Sequence, residues 1–139
     1  MEAAYPVFII KDGKDYLVSV PDLKILTEGR NYYDAINMAR DAIGLSLVTK
    51  QDEKEPSPDP SDYDAALQMA KADADEEIDF SKGIMSLVDV DVDLYRRKFD
   101  KRMVRKNCTI PFYLNEQAEK QGINFSRVLQ EALSARLAE

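Results

Sequence analysis

The sequence contains no histidine, no tryptophan and a single cysteine. Without histidine the commonest general base is missing, and so are the Ser-His and Cys-His pairs that activate a nucleophile. Hydrolase chemistry of that kind is excluded. One cysteine cannot close a disulfide within the chain, and with no histidine beside it no zinc cluster can be assembled. A small core here has neither a crosslink nor a metal to support it, which leaves association between chains. Long apolar runs are missing too. The opening MEAAYPVFII has no basic region and no extended apolar stretch of a secretion signal, and nothing approaches the length of a membrane span, so a cytosolic location is expected. Cys108, between Asn107 and Thr109 in an expected strand, reads as a small core hydrophobe.

What is present is charge, and it is unevenly placed. The formal net charge of −7 conceals a change of sign near Asp100. Residues 1–100 carry 12 basic and 22 acidic side chains, giving −10, whereas residues 101–139 carry 7 and 4, giving +3. Nucleic acid suits the second part and a basic protein the first. Two small domains with the boundary at these positions are expected.

In the first part, Tyr5 to Ile10 and Tyr16 to Val20 are aromatic and β-branched runs around Lys11-Asp12-Gly13-Lys14, which reads as a hairpin. Ile25-Leu26-Thr27 forms a short third strand. Tyr32, Ile36, Ala39, Ile43 and Leu47 recur at helical spacing behind Asn31, a residue that caps helices. The Pro-rich QDEKEPSPDPSD from Gln51 to Asp62 reads as a solvated tether. Ser61 is placed to open a second helix running through Glu77. Ile84 to Val92 closes the sheet, with Asp89, Asp91 and Asp93 alternating outward along it. The basic stretch from Tyr95 to Lys106 ends the domain.

The second part reads as one strand, Val104 to Ile110, then a helix over Tyr113 to Gln121, Gly122 as its stop, and a last helix capped by Asn124. A lone strand leaves its amides and carbonyls unpaired, so it requires a second copy. Two such strands, antiparallel above four amphipathic helices, make a ribbon that fits the major groove of B-DNA. Cys108 and Ile110 face the helices, and Arg105, Asn107 and Thr109 face outward as base readers. Asn124, Phe125, Ser126 and Arg127 form a helix start suited to a phosphate. Their plainer roles are a solvated strand face and a helix cap. A helix-turn-helix is the alternative, but it demands a third supporting helix that Val104 to Ile110 does not supply.

The run YPVFIIKDGKDYLVSVPDL, the TEG before the first long helix, EPSPDPS, SLVDVDVDLYRRK and NCTIPFYLNEQAEKQGINFSRVLQEAL together resemble HicB antitoxins with a ribbon-helix-helix tail. The chain departs from the PDLPGC-like turn of many such proteins, reading Pro21-Asp22-Leu23-Lys24-Ile25-Leu26. The resemblance implies an α+β fold. Its N-terminal sheet would be a partial RNase H-like module that has lost catalysis, and its tail would bind operator DNA as a homodimer. The partner it implies is HicA, a small basic mRNA-cleaving toxin, with no cofactor, no metal and no enzymatic activity of the antitoxin itself. The residues agree with lost catalysis, since Tyr5 to Ile10 carries no acid and two-metal nucleases need carboxylates converging on ions about 4 Å apart. Asp89, Asp91 and Asp93 would be spread about 6.6 Å apart along one strand, which suits an acidic surface toward the toxin, or a solvated face, better than a metal. The acid-rich run Asp73, Asp75, Glu76 and Glu77 is open to the same two readings, a contribution to that surface or, as is usual for such runs, a solvated face. Two other readings stay open: a ribbon-helix-helix transcription factor whose N-terminal module senses a ligand, and an RNase H-like nuclease.

Overall fold

A computed structural model describes residues 1–99 and 102–138. The chain forms two compact units, Met1–Lys101 and Arg102–Glu139.

The first unit is built on an antiparallel sheet in the order β3-β2-β1-β4, from β1 (Glu2–Asp12), β2 (Asp15–Val20), β3 (Ile25–Gly29) and β4 (Ile84–Asp91). β1 is longer than its apolar run, because Ala3 and Ala4 pair with Val90 and Asp89, and Lys11 and Asp12 pair with Tyr16 and Asp15. The hairpin loop is thus only Gly13 and Lys14, with Gly13 at φ 63°. A first turn residue at positive φ matches the twist of the two strands, and glycine takes it without a side-chain clash. After β2, Pro21–Leu23 forms a single 3₁₀ turn that ends on Lys24 in the left-handed region.

One sheet face is packed under α1 (Tyr32–Asp52). Tyr5, Val7, Ile9, Val18, Val20, Val88 and Val90 meet Ala35, Ala39, Ile43 and Leu47 there. The buried stripe is offset from the expected one: Ala35 replaces Tyr32, whose ring stands edge-on to Tyr16 at 4.6 Å, half exposed. Small alanines let the helix sit close to the sheet, and Asn31 caps it by accepting the Asp34 amide at 2.8 Å.

The other face is covered only in part, by α2 (Tyr63–Ala72) and a 3₁₀ turn at Phe80–Lys82 packed on Phe8. Here three expectations are corrected. Asp62, not Ser61, caps α2, because the Ser61 amide and hydroxyl are both donated to the Asp22 carboxylate. The helix stops at Ala72 rather than Glu77, since the Asp75 carboxylate accepts the amides of Glu77 and Ile78 and bends the chain into a turn. The Pro-rich segment is strapped to the sheet and is no free tether: the Tyr5 hydroxyl, its pKa pushed up by burial, donates to the Pro58 carbonyl at 2.6 Å.

β4 ends at Asp91, and α3 (Val92–Phe99) follows where continued strand and a basic boundary segment are expected. The Asp91 carboxylate accepts the Leu94 amide at 3.1 Å and so starts the helix. Tyr95 lies against Gly44 of α1, where a Cβ would sit 2.5 Å from the ring. Only a residue without a side chain admits it there.

The second unit holds α4 (Phe112–Lys120) and α5 (Phe125–Leu137). Gly122, at φ 66°, follows α4. The amides of Gly122 and Ile123 bond back to Glu119 and Ala118, the paired bonds that close a helix end.

Candidate functional site

Each unit carries one surface singled out by the sequence. In the second unit, residues 102–111 have no regular secondary structure within the single chain, where Val104 to Ile110 is expected as a strand. A strand exists through its ladder, and among the described residues no other strand pairs with this segment. Alternation is nevertheless visible. Lys106, Cys108 and Ile110 line a cavity of about 470 Å³ together with Phe125, Val128, Leu129 and Ala132 of α5. Arg105, Asn107 and Thr109 are not part of that lining and are exposed. Cys108 is itself exposed rather than buried, because nothing in the single chain covers the helix face it points toward.

At the start of α5 the Asn124 side chain accepts the Arg127 amide at 3.1 Å, the capping role read from the sequence. The amides of Phe125 and Ser126 precede the first intrahelical donor, the Val128 amide, and remain available to an anion. Phe125 lines the apolar cavity, so of this residue only the amide is left for the phosphate contact expected from the sequence. Arg127 donates to Glu131 at 3.2 Å, which holds its guanidinium toward the next turn of the helix. Phosphate contact by Arg127 requires that exposed, weak pair to open.

The acidic row in the first unit is only partly as expected. Asp89 and Asp91 share a face of β4, opposite Ala4 and Glu2, but Asp93 lies in the first turn of α3 and belongs to no strand. The reason is the helix start at Asp91, which breaks the alternation of period two. All three carboxylates have partners inside the chain. Asp89 accepts from Arg40 at 3.1 Å, and this hydrogen bond holds its pKa below the usual carboxylate range. Asp91 caps α3, and Asp93 pairs with the Met1 amine at 2.7 Å, which lowers the acid and raises the amine. Arg40 carries no signal in the sequence that marks it for this role. It also donates to the Asp89 carbonyl at 3.0 Å, occupying the outer edge of β4 across 49 positions of chain. Among the described residues no group of three or more Cys, Asp or Glu side chains is arranged to hold a metal, and no helix is long and apolar enough to cross a membrane.

The same architecture occurs in proteins of known structure. A structure described as a toxin-antitoxin complex from Streptococcus pneumoniae is similar at 26% identity and a TM-score of 0.59, over 98% of this chain and 99% of that one. The crystal structure of the Burkholderia pseudomallei antitoxin HicB, 22% identical over 97% of this chain and 96% of that one, shares the fold at a TM-score of 0.50. No curated protein matches the chain. The model of the HicB-like antitoxins of bacterial toxin-antitoxin systems matches residues 5–133, across both units. The chain belongs to the HicB-like antitoxin family.

Proposed function

We propose that this protein neutralises a small basic toxin of the HicA type through residues 1–100, a partial RNase H-like module, and represses its own operon through residues 101–139, which bind operator DNA as a homodimer. It acts by covering and gripping, not by catalysis. What carries the reading is the second unit's surface: none of its described residues is buried, although Ile110, Phe125, Val128, Leu129 and Leu133 are large and apolar. Those side chains stay in water until another protein surface covers them, and burying each is worth about 1.5–3 kcal/mol. A second copy supplies that surface and at the same time pairs the free amides and carbonyls of Val104 to Ile110. The resulting ribbon turns Arg105, Asn107 and Thr109 to the bases, and the start of α5 at Asn124, Phe125, Ser126 and Arg127 to the phosphate backbone.

On the first unit, an excess of acid over base draws a basic toxin inward. Asp89, Asp91 and Asp93 contribute to that field, with Asp91 the one of the three in no direct ion pair among the described residues. The name of the S. pneumoniae neighbour, a toxin-antitoxin complex, supports a toxin as the partner.

The test is co-expression with the product of the adjacent reading frame, expected to be a small basic protein, followed by mass measurement of the complex and a mobility shift on the upstream DNA. A complex containing two copies of this chain, which shifts that DNA, is expected. A strictly monomeric protein that still recognises its promoter tightly would falsify the ribbon.

A further inference from the structure

The sheet face away from α1 is not uniformly covered. α2 packs over Phe8 in the middle of it, and on the β2-β3 side of α2 a groove of about 600 Å³ is left open. Ser19 and Leu26, opposite each other across β2 and β3, belong to its lining, and Met69, Ile78 and Phe80 to the far wall. Leu26 is 74% exposed, an apolar side chain left in water at an edge strand that β2 alone pairs. The wall carrying Ile78 is held in place, because the Asp75 carboxylate accepts the amides of Glu77 and Ile78 at 2.8 and 2.7 Å. The groove is therefore shaped by the fold and not by a mobile side chain.

Charge decides what fits it. Asp73 and Asp75 line the groove, Glu76 and Glu77 lie in the same turn, and Glu28 stands two residues along β3 from Leu26 on the same sheet face. Among the described residues Asp73, Glu76 and Glu77 enter no ion pair, in contrast to Asp89 on the opposite edge strand and Asp93 at the start of α3. Asp79 is near Lys71 and Lys82 and adds little. Lys24 is the one base in the lining. An apolar floor with an unneutralised acidic wall suits an apolar side chain flanked by Lys or Arg, the pattern of an interface anchor with a charged surround.

We propose that this groove is where the basic toxin docks, seating one apolar side chain against Leu26, Met69 and Ile78 while its flanking cations face Asp73, Glu76 and Glu77. This rests on the toxin-binding reading above and names the surface that performs it. The acids at Asp89 and Asp91 then assist encounter without forming the contact.

The experiment titrates the full-length protein with the adjacent basic protein, using Leu26→Lys and Asp73→Lys in the groove and Leu87→Lys as the control. Leu87 is 65% exposed on the same sheet face but on β4, so all three changes are at the surface and spare the core. Leu26→Lys is expected to weaken binding about tenfold or more, as loss of an anchor does. Asp73→Lys is expected to weaken it by a smaller factor that shrinks as salt is raised. Leu87→Lys is expected to stay within about twofold of the parent. Circular dichroism and a thermal melt of each variant, unchanged from the parent, show that the first unit is folded. If the unmodified chain does not bind the basic protein, the toxin-binding reading fails and the groove assignment with it. If it binds and Leu26→Lys binds equally well, the groove alone is overturned and is left to a small ligand or a second copy. If Leu87→Lys loses more than Leu26→Lys, the toxin sits on the β4 side and the groove is again overturned.

Discussion

Residues 1–99 bury Tyr5, Phe8, Ile43 and Leu47 completely, whereas residues 102–138 leave Phe112, Tyr113, Leu133 and Leu137 in water. The two units have comparable apolar patterning along the chain, yet one closes a core on itself and the other does not. The difference lies in the number of layers. A four-stranded sheet with α1 across it encloses its inner face, while two short helices and an extended segment offer apolar faces with nothing opposite. A segment of this length cannot bury enough surface alone. In the homodimer proposed above, the second copy supplies the missing layer.

The contrast between the units is broken most directly by cutting the chain. Removing Met103 to Glu139 is expected to abolish both dimerisation and operator binding while one-to-one toxin neutralisation survives; light scattering and a DNA footprint read the outcome. A shortened chain that still dimerises and protects the operator sinks the division of labour.

A finer test substitutes within each unit. Ile43→Ala, in a fully buried position, is expected to cost about 2–5 kcal/mol whatever the protein concentration. Leu129→Ala is expected to lower a melting temperature that itself falls on dilution, since the cover of this half-exposed side chain is completed between chains. Identical concentration dependence for both variants would show that the second unit folds by itself.

For the DNA surface, Arg105→Ala is expected to reduce operator affinity by about 1–3 kcal/mol at fixed salt. Unchanged affinity takes Arg105 out of the base-reading set and leaves Asn107 and Thr109.

The smallest effect concerns acid. Asp89 has its pKa lowered by the hydrogen bond from Arg40, so its folded form holds a proton less readily than the unfolded chain. Its contribution is present above the ordinary carboxylate range and is lost as pH falls through the lowered folded value. Thermal melts taken down that range should show a slight drop that Asp89→Asn removes. The group is exposed, so a large drop assigned to it contradicts the surface character of the pair.

Much of the first unit is legible in apolar spacing alone, because strands and a long helix announce themselves by period. β2, β3, the span of α1 from its Asn31 cap, and the start of β4 all follow from that spacing and from turn chemistry. The end of α2 is not legible: residues 73–77 are as compatible with helix as with a turn until Asp75 takes the amides of Glu77 and Ile78. Nor is α3, since Val-Asp-Val-Asp continues a strand by alternation, and only the capping bond from Leu94 to Asp91 and the space above Gly44 favour a helix. Of the candidate sites, the alternation of Arg105, Asn107 and Thr109 with Lys106, Cys108 and Ile110 is readable. The internal partners of Asp89, Asp91 and Asp93 are not, because they come from Arg40, Leu94 and Met1.

By itself the sequence determined the strands of the first unit, its long helix, the two helices of the tail and the change of charge sign between the two parts, since these depend on neighbours along the chain. The tertiary structure decided which carboxylates are neutralised, that the Pro-rich segment is fastened by Tyr5 and Asp22, and that a groove opens beside Leu26. Such features arise where residues some 40 to 90 positions apart meet, and no local periodicity records a meeting of that kind.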